Sequence, residues 1–188
     1  MSDIAAYAGE PGAFGEEACM TCFPGLEAEG LADFAAVASA VIEDRAAAGV
    51  LPVRNSRAGT VPGVAALLKL PGLRIAGHYP LPVIMHCVGL PGANLSELRE
   101  VRSHPVALRQ SRCFLTSLGV AVRPASDTAG AAREVAELGD RTVAALASTR
   151  AAVLYRLEVL QARVQDEAEN VTTFALLERS CRFTASSF

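Results

Sequence analysis

The chain has 188 residues, 51% of them hydrophobic, and a formal net charge of −3, so it can bury one large core or the cores of two small lobes. Its mild acidity, with a pI near 5.6, and its lack of any basic run or basic patch interleaved with aromatics exclude a nucleic-acid footprint. No apolar stretch approaches bilayer-spanning length and "MSDIAAYAGE" carries no basic region followed by an apolar core, so no membrane partner and a cytoplasmic location are expected.

In chain order, Ile4–Ala8 reads as a short strand, followed by the turn "GEPG" and a helix from about Phe14. That helix carries Cys19 and Cys22. The second half of a zinc site is missing, because His78, His86 and His104 are scattered, and an i, i+3 pair suits an apolar helix face. The five cysteines, with no export signal, argue against a disulfide framework. An alanine-rich helix is expected over Asp33–Ala48, a buried strand over Val50–Val53, and a further helix in "VPGVAALLKL". "LRIAGHYPLPVIMHCVGL" reads as extended, its prolines confining it to sheet edges or a linker. Next come a short helix at "SELRE", a strand near Val101, a helix from Pro105, a strand at Val120–Arg123, a helix from Thr128, a strand at Val143–Ala145 and a helix after Ser148; the tail is again extended. Such alternation predicts an α/β fold with mostly parallel sheets. Residues 77–157 form one α/β lobe, and residues 1–76 with 158–188 form the other, discontinuous lobe. Two crossings between the lobes leave a cleft for a small ligand and a hinge that closes on it.

Four segments end toward that cleft: "RNSRAG", "SHP", "DTAGAA" and "NVTTF". The carboxyl ends of strands in open α/β sheets are where ligands bind, which singles out Arg54, Asn55 and Ser56. Ser103 can cap a helix that Pro105 starts, with Gln110 along the same helix. Thr128 or Asp127 caps the next helix, and the small Ala129 permits close backbone approach. Free N–H groups at these helix starts favour an anionic ligand. A capped helix after a strand is ordinary in any α/β protein, so the weight lies in the convergence of four such ends.

Taken in series, "YAGEPGAFGEEA", "GVLPVRNSRAGTV", "LPVIMHCVGLPGANLSELREVRSHPVALRQ", "DTAGAAREVAE", "AALASTRAAVLYRLEVLQARVQD" and "NVTTFALL" resemble the catalytic domain of prephenate dehydratases over nearly the whole chain. The resemblance implies two α/β subdomains of the type II periplasmic-binding-protein kind, prephenate between them, and conversion to phenylpyruvate with loss of carbon dioxide and water. Thr172 falls on the Thr of the family's T-R-F motif, which implies an acid for the leaving hydroxyl. Asn55, Ser103 and Gln110 fall on positions implied to hold the substrate's carboxylates and hydroxyl, with Ser56, Thr128, Ala129, Thr173 and Phe174 beside them. No metal or organic cofactor is implied. A Thr hydroxyl is a poor acid unless donors stabilise its conjugate base, so Thr172 should lie near amide or positive groups.

Two positions depart from the family pattern. Arg54 stands where the family has Glu, and Thr173 where it has Arg. Arg54 is expected either to supply the missing cation from the opposite wall of the cleft by a two-pronged grip on a carboxylate, or to be solvated or paired with an acidic neighbour such as Glu10 or Glu169. The family's C-terminal phenylalanine-binding regulatory domain has no counterpart here, so feedback inhibition is expected only from a separate chain. A homodimer or higher homo-oligomer is expected. Competing readings are a non-aromatising prephenate decarboxylase, in which Thr172 would be dispensable, and a non-catalytic binder of an aromatic or dicarboxylate metabolite.

Overall fold

The computed structural model describes residues 2–180. Cys181 lies outside them. The chain folds into two sheets with flanking helices. It begins with β1 (Ile4–Ala8), α1 (Phe14–Cys22), β2 (Glu27–Leu31), α2 (Phe34–Ile42), β3 (Ala48–Asn55), the two-residue β4 (Gly59–Thr60), α3 (Val64–Leu67) and β5 (Leu73–Pro82). The second half holds β6 (His86–Gly89), a 3-10 turn at Leu95–Glu97, β7 (Glu100–Ser103), α4 (Pro105–Gln110), α5 (Arg112–Leu118), β8 (Ala121–Pro124), α6 (Thr128–Leu138), β9 (Val143–Ala147), α7 (Thr149–Leu154) and β10 (Glu158–Gln161). Finally β11 (Val171–Arg179) returns to the first sheet.

The first sheet runs β2-β1-β3-β11-β5 and the second, read from its other edge, β8-β7-β9-β6-β10. Both repeat one plan: second, first and third strands, then the strand that has just crossed from the other lobe, then the fourth. This is the paired arrangement that the type II resemblance implied. Each incoming strand runs antiparallel to its neighbours, so the sheets are mixed rather than mostly parallel; among the described residues only the β1–β2, β1–β3, β7–β8 and β7–β9 pairs are parallel. A chain that enters a lobe from its neighbour arrives without the helical crossover that parallel pairing needs.

The crossings also lie further along the chain than 76/77 and 157/158. β5 stays in the first sheet to Pro82, paired with β11 along its whole length. As the edge strand it tolerates Pro80 and Pro82, whose missing N–H groups break no second ladder. β10 belongs to the second sheet, against β6. The helix expected to reach Ala48 ends at Ile42: Asp44 takes a left-handed conformation (φ 62°), which reverses the chain so that Ala48 can pair with Ala5.

One apolar cluster spans both sheets, joining Tyr7, Val50 and Phe174 of the first to Val88 and Ala145 of the second and to Val135 of α6, which packs on it. The β1–α1 loop adds a polar latch. Ser148, the cap of α7, donates to the Gly12 carbonyl at 2.8 Å, Tyr155 donates to the Pro11 carbonyl at 2.7 Å, and buried Glu16 accepts from the Gly12 N–H at 2.8 Å and from Arg150 Nε at 2.5 Å. Gly12 is required twice over, by its φ of 94° and because a Cβ there would lie 2.9 Å from Ala151 Cα. Burial alone would raise the pKa of Glu16, but the Arg150 hydrogen bond, the Gly12 N–H and the Arg150 charge outweigh it and hold the carboxyl below its usual value.

Cys19 is buried on α1, its thiol pushed up to about 12 by burial, as suits a small hydrophobe. No cluster of metal-ligating side chains occurs among the described residues. No helix among them is long and apolar enough to cross a membrane.

Candidate active site

The register of β3 and β11 assembles the site. Thr172 lies opposite Asn55, and Thr173 opposite Arg54, but Phe174 opposite Pro52, so Val53 is an extra residue in β3. Before this bulge the strand alternates: Val50 packs in the core between the lobes, while Leu51 and Val53 pack beneath α2 and α3. Strict alternation would return Arg54 to the interlobe face. The bulge gives that place to Asn55 instead.

Asn55 is 8% exposed and spends all its hydrogen-bonding capacity. Its Oδ1 accepts from the backbone N–H groups of Arg57 (3.0 Å) and Ala58 (2.8 Å) and from Gln110 Nε2 (3.1 Å). Its Nδ2 donates to Asn170 Oδ1 (2.7 Å) and to Thr172 Oγ1 (2.9 Å). The two backbone donors fix which end of the amide is oxygen. Asn170, buried beside β11, closes the ring by donating to Gln110 Oε1 at 3.0 Å. Gln110 thus ties α4 of the second lobe to β3 of the first and to the residue that leads into β11.

Gln110 is itself positioned from the tail. Asp166 N–H donates to the Gln110 carbonyl at 2.7 Å, and the Asp166 carboxylate accepts from the N–H groups of Arg112 and Cys113 at the start of α5. At Ser111 the expected single helix from Pro105 therefore breaks into α4 and α5. On the other side, the Asn170 carbonyl accepts from Val83 N–H at 2.7 Å, which anchors the first crossing.

Chemically, Thr172 Oγ1 accepts a hydrogen bond from an amide polarised by two backbone donors at its far end. Its own proton remains available, and negative charge left on the oxygen would be stabilised by Asn55. That is the amide neighbour an acidic Thr requires.

The remaining expected residues lie elsewhere. Arg54 and Thr173 face each other across the ladder on the side of the sheet away from Thr172, so Arg54 does not occupy an opposite cleft wall; it is exposed and makes no ion pair among the described residues. Ser103 is fully buried and donates to the Leu146 carbonyl at 2.7 Å; the cap of α4 is His104, whose Nδ1 accepts from Val106 N–H at 3.2 Å. Pro105 forces the residue before it into an extended conformation, which suits a cap. Asp127, not Thr128, caps α6, and its carboxylate takes the N–H groups of Ala129 and Gly130 at 2.8 Å each, so those groups are already occupied. Ala129 and Phe174 are core residues. Ser56 closes the strand ends, its N–H donating to the Val171 carbonyl at 2.8 Å and its Oγ accepting from Val171 N–H at 3.0 Å.

Sequence reasoning did not single out Asn170. The only signal was a buried-type amide two residues before Thr172, at the spacing that puts both on one face of a strand.

The prephenate dehydratase family model matches residues 5–182. A bifunctional N-acyl-homoserine lactone acylase/prephenate dehydratase of Komagataeibacter europaeus is 40% identical over 177 residues, which cover 94% of this chain and 63% of that protein. Arogenate dehydratase 3 of Arabidopsis thaliana, a chloroplastic protein, is 43% identical over 180 residues, 93% of this chain and 42% of that one. The chain therefore spans under two thirds of the length of these relatives. Among solved structures, that of GqqA, described as a novel type of quorum quenching acylase, matches with a TM-score of 0.86 at 39% identity, over 95% of this chain and 64% of that one. The Arthrobacter aurescens prephenate dehydratase in complex with L-Phe shares the fold, with a TM-score of 0.87 at 24% identity over 95% of this chain and 61% of that one. With its two crossed sheets and the Asn55–Thr172 pair at their junction, the chain belongs to the prephenate dehydratase family.

Proposed function

We propose that the chain catalyses the dehydration and decarboxylation of prephenate, or of its amino counterpart arogenate, within phenylalanine biosynthesis. The observation that carries this reading is the Asn55–Thr172 hydrogen bond, held within an interlobe amide ring with Gln110 and Asn170. As the bond to the ring carboxylate breaks, its electron pair enters the ring and carbon dioxide leaves. The ring C–O bond breaks at the para position, Thr172 passes its proton to the departing oxygen, and water is released. Asn55 holds the resulting alkoxide until solvent reprotonates it. Aromatisation supplies the driving force, so the protein's part is to orient the substrate and stabilise one leaving group. No step requires a metal or an organic cofactor.

The test is incubation of the purified chain with prephenate and with arogenate, following phenylpyruvate and phenylalanine and, in parallel, carbon dioxide. Formation of either aromatic product supports the proposal. Carbon dioxide without an aromatic product would identify a decarboxylase instead, and binding without turnover a metabolite binder.

A further inference from the structure

A cavity of about 570 Å³ opens where α1 of the first lobe faces α7 of the second, within the range of small-molecule sites. Asn55, Gln110 and Thr172 do not line it. Its walls are mainly apolar, with Phe14, Met20, Ile84, Val153 and Leu154. Met20, Val153 and Leu154 are 45%, 75% and 46% exposed, an unusual grouping of large apolar side chains at one opening.

Two charged groups share this apolar space. Arg150 gives Nε to Glu16, and its terminal nitrogens have no partner among the described residues. Glu17, one position further along α1, has no hydrogen-bond or ion-pair partner for its carboxylate among them. Burial raises its pKa, opposed by the Arg150 charge. Glu16, Glu17 and Arg150 together sum to one negative charge, so a simple anion is repelled. A simple cation would leave the guanidinium unmatched. A ligand with both charges on one end and an apolar body satisfies the whole wall.

We propose that this cavity binds a free α-amino acid with an apolar side chain, its ammonium on Glu17, its carboxylate on Arg150 and its side chain among Phe14, Met20, Ile84, Val153 and Leu154.

Calorimetric titration of the purified chain with L-leucine and L-phenylalanine tests this, with phenethylamine and 3-phenylpropanoate as molecules that each lack one charge. Expected are saturable binding of at least one of the amino acids, binding at least about tenfold weaker for both single-charge molecules, and a similar loss in Glu17→Gln. Val153→Asp, at an exposed position where folding is not at risk, should show the same loss. In Thr172→Ala, where turnover is blocked, the amino acid should bind equally well with and without saturating prephenate, which keeps this site distinct from the dehydratase reading. The proposal is overturned if neither amino acid saturates, if a single-charge molecule binds as tightly, if both cavity variants keep parental affinity, or if prephenate displaces the amino acid. Self-association lost in Val153→Asp, with no amino acid bound by the parent, would assign the cavity to a second copy of the chain and also overturn it.

Discussion

Asn55 and Thr172 stand directly opposite each other on β3 and β11, and the amide of the first donates to the hydroxyl oxygen of the second at 2.9 Å. If Thr172 is the acid, its contribution arises mainly in the transition state. Thr172→Ala should then lower kcat by about 10²- to 10⁴-fold with KM changed little, while Thr172→Ser keeps a substantial part of the rate. Steady-state kinetics on prephenate check this, and an unchanged kcat in the Ala variant removes Thr172 from the mechanism.

Asn170 is a positioning residue for the same pair. Asn170→Ala leaves Asn55 Nδ2, which is buried, and Gln110 Oε1, which is half-buried, each one partner short. The expected cost is about 1–3 kcal/mol of stability, read from the urea midpoint, with reduced turnover at unchanged secondary structure. A variant with parental midpoint and parental kcat would show that the ring does not depend on it.

Arg54 and Thr173 form a cross-strand pair on the far side of the sheet from Thr172. Arg54→Glu should therefore leave the KM for prephenate within about twofold. The effect belongs in stability. Thr173→Arg alone places like charges opposite each other, and Arg54→Glu with Thr173→Arg restores the opposite charges of the family pattern. The double-mutant cycle should show a favourable coupling of about 0.2–1 kcal/mol. A tenfold rise in KM for Arg54→Glu alone would return Arg54 to the substrate site.

His104 caps α4 through Nδ1, a role only the neutral ring can play. Burial pushes its pKa below 6.5, with the Arg109 charge adding to this and Asp127 opposing. The pKa of His86 is likewise lowered, by burial and by Arg163. The unfolded chain thus takes up protons before the folded one does. Stability is fully present above about pH 6.5 and is lost as the pH falls through the lowered folded values. Melting temperature should fall between pH 7.5 and 5.5, and less steeply in His104→Asn, which keeps a side-chain acceptor at the cap but does not titrate.

Strands with dense apolar runs, such as β1, β3 and β9, were legible in the sequence, as were the starts of α1, α4, α6 and α7. β2 was not, because "EAEGL" is an edge strand that is mostly exposed and carries little apolar alternation. Of the candidate site, Asn55, Gln110 and Thr172 were legible through motif resemblance, and the structure brings them together. The orientation of Arg54 was not, since a one-residue bulge changes which face a side chain takes and leaves no mark in composition. Ser103 was expected to cap α4, but the next residue, His104, fills that role; of the two cap candidates for α6, Asp127 and Thr128, it is Asp127 that caps it. The part played by Asn170 depends on partners 60 and 115 residues away, a relationship no local pattern encodes.

The apolar cluster that joins Tyr7, Val50 and Phe174 to Val88, Val135 and Ala145 bears on how the molecule comes apart. Neither sheet can lose its order without stripping the other of part of its interior, and β11 cannot leave the first sheet without freeing the chain that follows β10. Melting should therefore be a single calorimetric event in which the heat measured directly equals that inferred from the steepness of the transition. The slowest-exchanging amides of β1 and β9, one in each sheet, should then report the same opening free energy.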